Sequence, residues 1–70
     1  MNNYIEQQRK ARGLTQQALG SLVGVSRQTI ISLENGRYNP SLLLAHELAK
    51  VFDCTIEELF LFDEQGENPS

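Results

Sequence analysis

An all-α domain of five short helices is the fold this 70-residue sequence predicts, and three observations carry that expectation. Residues 16–35, QQALGSLVGVSRQTIISLEN, read as a helix, a tight turn at Gly24 and a second helix, with Leu19, Gly20, Val23, Val25, Ile30 and Leu33 as the small or apolar groups. Hydroxyl residues stand where helices should open, at Thr15, Ser26, Ser41 and Thr55, and glycines stand where they should stop, at Gly13, Gly24 and Gly36. No alternation of apolar and polar residues flanked by turns is long enough to demand a strand.

The first helix is expected over about residues 3–12, because Gly13 tolerates the positive φ of a helix stop. Thr15 opens a second over about 16–23, and Gly24 allows the reversal after it. Ser26 opens a third over about 27–35, closed by Gly36. Tyr38-Asn39-Pro40 forms a connector, after which Ser41 caps a fourth helix through about Phe52. Thr55 and Glu58 make a T-x-x-E capping box for a fifth over about 56–61. Phe60-Leu61-Phe62 is too apolar for a loose tail: the rings either pack back on the helices or meet a second subunit, and a short C-terminal strand is an alternative. With Leu43, these three residues are assigned to a homodimer contact. Residues 1–62 are expected to form one domain, and 63–70 a flexible acidic tail.

Composition narrows the function. A chain this short buries only about 60% of its unfolded surface, so it needs efficient helix packing, staples or self-association. Cys54 is the only cysteine, which excludes an internal disulfide, and with His46 it falls short of the roughly four ligands of a structural zinc site. The single thiol suits a reducing compartment and reads as a small buried apolar group. Neither a secretion signal nor a membrane-length apolar run is visible, so a soluble cytoplasmic protein is expected. The net charge of −3 hides an asymmetry. Residues 1–40 set Arg9, Lys10, Arg12, Arg27 and Arg37 against Glu6 and Glu34, whereas 41–70 set Lys50 against seven carboxylates. A chain polarised in this way can offer phosphates one basic face.

At about 100° per residue, Ser26, Ile30 and Leu33 fall on one side of the third helix, and Arg27, Gln28, Ile31, Ser32 and Asn35 fall broadly opposite. The outer set offers a guanidinium, carboxamides, a hydroxyl and a branched alkyl group. These are the groups that read base edges in the major groove: Arg to guanine, Gln to adenine, Ser to several bases, an alkyl group to the thymine methyl. Ile31 either touches a thymine methyl or sugar or is simply an exposed or half-buried side chain.

Arg9, Gly13-Leu14-Thr15-Gln16, Leu19, Gly24 through Ile30, Glu34-Asn35-Gly36, Asn39-Pro40-Ser41-Leu42 and Leu59-Phe60 together resemble the XRE-type helix-turn-helix regulators, the family of phage Cro and repressor proteins, over about residues 3–62. The VSRQTI and YNPSL strings further resemble the small single-domain subgroup of the cytolysin-operon repressor, whose relatives are homodimers. The resemblance implies a lambda-repressor-like DNA-binding domain. It implies base contacts from Arg27, Gln28, Ile31 and Ser32, and phosphate contacts from Gln16, Thr29, Asn35, Arg37 and Tyr38. Gln16 is also expected to support Gln28, and Arg9 with Glu34 to form a structural ion pair. The chain departs from the family at Gln8 and Leu43, at His46, and at Ala18, where an acidic residue would complete the capping box behind Thr15.

The expectation is therefore a sequence-specific transcriptional regulator, a repressor on a palindromic operator, with double-stranded DNA as partner and no cofactor, small-molecule ligand or membrane. An antitoxin or phage-type switch protein uses the same fold. An interaction module that has lost DNA binding should lack Arg27, Gln28 and Asn35 as a set, and nonspecific coating calls for a more basic chain. Glu57 and Glu58 diverge as neighbours on a helix, His46 reads as a packed or partly exposed residue rather than a pH sensor, and no activated nucleophile or phosphate-cradling loop is present. No enzymatic activity is expected.

Overall fold

The computed structural model describes residues 2–61, with side chains from 3 to 60. Its elements run β1 (Asn2–Asn3), α1 (Ile5–Ala11), α2 (Gln16–Val23), α3 (Arg27–Glu34), α4 (Leu42–Val51), α5 (Ile56–Leu59) and β2 (Phe60–Leu61). The capping chemistry anticipated from sequence is formed. Thr15 Oγ1 accepts from Ala18 N at 3.0 Å, Ser26 Oγ from Thr29 N at 3.2 Å and Ser41 Oγ from Leu44 N at 3.1 Å. At α5 the box is reciprocal, with Glu58 N donating to Thr55 Oγ1 and Thr55 N donating to Glu58 Oε1. Each cap satisfies a backbone donor that the first helical turn leaves over.

Three helices close with one hydrogen-bond arrangement, in which the residue after the cap has positive φ and the next two amides return to the last turn. Gly13 and Gly36 fill that position in α1 and α3. In α4 the position belongs to Asp53, at φ 53°, with Asp53 N donating to Lys50 O and Cys54 N to Ala49 O. Aspartate is one of the few L-residues that enter this region at modest cost. Cys54 is thereby turned onto the core, where it packs half-buried as the apolar residue of the motif.

Ile5, Leu19, Ile30, Leu33, Leu48 and Leu59 are fully buried, and Leu44, Phe52 and Phe60 complete the centre. α2 and α3 cross closely because Gly20 has no side chain: a Cβ there would lie 2.6 Å from Val25 O. Gly24, at φ 79°, makes the turn between them.

The chain ends of the described fold differ from expectation. α1 begins at Ile5 rather than at residue 3, because Asn2 and Asn3 pair antiparallel with Leu61 and Phe60. Asn3 reinforces this, accepting from Ile5 N at 3.0 Å and donating to Leu33 O at 2.7 Å. The fifth helix stops at Leu59, and the short strand is the alternative that forms. Phe60 is a correction: it is 2% exposed within this one chain and so is core, not a subunit contact. The physical reason is the strand itself, which turns the ring inward beside Ile5 and Leu59. Leu61 is described here by its backbone pairing alone, and Phe62 and the 63–70 tail lie outside the described residues.

Candidate nucleic-acid interface

α3 is split as its periodicity demands. Ile30 and Leu33 carry no exposure, whereas Arg27 and Gln28 in its first turn are exposed. Ile31 and Ser32 are half-buried, at the edge where the outward side meets the core. Half-burial leaves part of the Ile31 alkyl group on the surface. Asn35 stands exposed at the far end, followed by exposed Arg37 and Tyr38. The amide of Arg37 donates to Ser32 O at 3.0 Å, which holds this segment against the end of α3. Thr29 is half-buried, its hydroxyl 3.1 Å from that of Ser26.

A buried ion pair underlies the face. Arg9 Nε donates to Glu34 Oε2 at 2.6 Å, Arg9 Nη2 to Oε1 at 3.3 Å, and Arg9 Nη1 to Leu14 O at 2.8 Å. The two side chains are 10% and 5% exposed. The hydrogen bonds to Glu34 raise the guanidinium's pKa further above its ordinary value, outweighing the opposing effect of burial. The pair therefore clamps α1 and the α1–α2 corner to the end of α3, as anticipated for Arg9 and Glu34.

Gln16 has a partner within the fold that the sequence reading did not name. Its Nε2 donates to Glu34 Oε1 at 3.1 Å, so among the described residues its amide supports the ion pair, not Gln28. Gln16 begins α2 and Glu34 ends α3, so the contact needs both helices in place, which local pattern does not reveal.

Arg12 is the other residue whose role the sequence concealed. It donates to Phe52 O at 2.7 Å and to Gln8 Oε1 at 2.7 Å, and its guanidinium sits 5.3 Å from the centre of the Phe52 ring. A cation at the carbonyl end of α4 is favourable on helix-dipole grounds. Lys10 pairs with Glu6 at 2.8 Å, which also holds the Glu6 carboxyl below its ordinary pKa. Three of the five cations in residues 1–40 are thus engaged within the fold. Among the described residues, Arg27 and Arg37 remain as the exposed guanidinium groups of α3 and the segment after it.

This arrangement, a capped helix, a glycine turn and a second helix with an exposed polar side, spans the segment at the centre of a family match that covers residues 5–59. The chain belongs to the XRE-type helix-turn-helix family. An uncharacterized HTH-type transcriptional regulator of Methanothermobacter thermautotrophicus is 52% identical over 67 residues, covering 94% of this chain and 97% of that one. Among solved structures, the restriction-modification controller protein C.AhdI from Aeromonas hydrophila superposes with a TM-score of 0.72 at 36% identity, covering 80% of this chain and 85% of the other. A SinR protein/SinI protein complex superposes with a TM-score of 0.74 at 25% identity, over 91% of this chain and 63% of the other. This helix-turn-helix chain is therefore a member of a family of transcriptional regulators, with the all-helical core of its neighbours.

Proposed function

We propose that this protein is a sequence-specific DNA-binding repressor that acts as a homodimer and has no catalytic role. The observation that carries the reading is the division of α3, whose Ile30 and Leu33 are wholly in the core while Arg27 and Gln28 project from its first turn. In helix-turn-helix docking the first residues of the second helix meet base edges. An exposed carboxamide and guanidinium there match adenine and guanine. Arg27, Gln28 and Asn35 are exposed together, which argues against a module that has given up DNA.

In this reading Ile31 and Ser32 complete the base-facing set, and Thr29, Asn35, Arg37 and Tyr38 face the flanking phosphates. Gln16 reaches a phosphate only with the amide hydrogen that Glu34 leaves over. Two copies place their third helices in successive major grooves, about 34 Å apart, on a palindromic site. Repression follows from occupancy, with the protein standing where polymerase must pass. Among its relatives the chain fits the small single-domain subgroup, and the cytoplasm is where such a protein would meet DNA.

Selection of bound duplexes from a random pool tests the proposal. The expected outcome is an inverted repeat whose half-sites are centred about one helical turn apart. Recovery of unrelated sequences, or of a single unrepeated half-site, overturns it.

A further inference from the structure

We propose that Glu34 is a positioning residue for DNA binding: its buried carboxylate aims the Gln16 amide, so that the phosphate contact at the start of α2 is set by the reading helix α3. This role rests on the DNA-binding reading above and deepens it.

Glu34 is the last residue of α3, and its side chain is 5% exposed. Arg9 holds it from the core side, with Nε 2.6 Å from Oε2 and Nη2 3.3 Å from Oε1. Arg9 is itself fixed by a third bond, from Nη1 to Leu14 O at 2.8 Å. The carboxylate is therefore a rigid point. A side chain from a different helix is tied to it: Gln16, the first residue of α2, donates from Nε2 to Oε1 at 3.1 Å. A carboxylate paired with a guanidinium only accepts, so chemistry fixes which end of the amide faces it. One Nε2 hydrogen is committed to Glu34, and the second hydrogen and the carbonyl oxygen are left for a partner.

Gln16 is half-buried and keeps part of its surface open to solvent. The first turn of α2 contains no acidic residue, so nothing there opposes a phosphate at the positive end of the helix. A glutamine side chain is among the costlier ones to order. Tying its amide to Glu34 settles that ordering before DNA arrives. The same bond joins two kinds of contact, because phosphate contacts fix register while base contacts read sequence. Gln16 belongs to the first kind and stands on α2. Arg27 and Gln28 belong to the second and stand on α3. Through Glu34 the phosphate anchor is referred to the helix that carries the readers, and not to α2 alone.

The duplex recovered by the selection described above is the probe. Arg9→Met combined with Glu34→Leu exchanges the buried ion pair for an apolar one, a replacement that is often neutral for stability. Gln16→Ala is then measured in both backgrounds. With the ion pair present it should weaken binding about three- to tenfold. With the apolar pair, where the amide has lost its anchor, the same change should cost less than about twofold. A Glu34 that only stabilises the fold gives the same Gln16→Ala loss in both backgrounds, and that result overturns the proposal. A second measurement needs no variant and stands even if the exchanged pair unfolds the chain. By NMR, one Gln16 Nε2 proton should be resolved from those of the exposed Gln17 and should hold its shift when the duplex is added, while the other moves. Movement of both protons, or of neither, overturns the proposal. A wild-type chain that binds no duplex overturns the DNA-binding function and this role with it, whereas binding with equal losses overturns this role alone.

Discussion

α3 and α4 obey the same folding rules and present opposite surfaces. Each opens at a serine whose hydroxyl caps the first turn, and each closes at a residue with positive φ, Gly36 or Asp53. Each buries its inner side, Ile30 and Leu33 in one, Leu44 and Leu48 in the other. Outward, α3 shows Arg27 and Gln28, and α4 shows Leu42 and Leu43. The inner residues and the caps are enough to form the helices. The outer ones lie outside the buried core, so their chemistry is available to partners, and in the proposed function the polar groups of α3 are the ones that face base edges.

The most severe test of that contrast lies beneath α3. Glu34→Ala leaves the Arg9 guanidinium buried and unpaired, and it is expected to cost about 3–5 kcal/mol of stability, measured by urea denaturation. For a domain with about 5–15 kcal/mol in total this is a large share, and a loss below about 1 kcal/mol would mean the clamp is dispensable. The neighbouring leucines of α4 come next. Leu44→Ala should cost about 2–5 kcal/mol, whereas Leu43→Ala should stay within about 0.5 kcal/mol when measured at protein concentrations too low for association. Equal losses would show that Leu43 is also a folding residue.

On the reading face, Gln28→Ala is expected to lose about 1–3 kcal/mol of binding and to relax preference at one base pair. Arg37→Ala should weaken all duplexes alike and reduce the salt slope by about 1. A uniform loss for Gln28→Ala would move it to the phosphate set. The smallest effect belongs to Cys54. Burial, and then the Glu58 carboxylate, push its thiol pKa up. At neutral pH the reactive thiolate is therefore scarcer than in the unfolded chain, and alkylation should be slower in buffer than in urea. Equal rates would place the thiol in open solvent.

The local part of this architecture was legible from residues alone. Thr15, Ser26, Ser41 and Thr55 sit three residues from the amides they cap, so spacing along the chain is nearly the whole of the interaction. The same holds for the division of α3, because helical periodicity sends Ile30 and Leu33 one way and Arg27 and Gln28 the other. The charge asymmetry was a weaker guide. It counted Arg9, Lys10 and Arg12 toward a basic face, yet all three are held by carboxylates, an amide or carbonyls of the fold.

What read wrongly or not at all depends on groups remote in the chain. Phe60 was assigned to a subunit contact, with packing back on the helices left open, because its partner strand, Asn2–Asn3, lies at the opposite end of the sequence. The contact of the Gln16 amide with Glu34 across the α2–α3 packing was not foreseen, where support of Gln28 was expected. Arg12 finds Phe52 O 40 residues away. Interactions between close neighbours are dictated by backbone geometry and survive in one dimension. Those that close long loops exist only after the hydrophobic core has assembled and set distant side chains within hydrogen-bond reach.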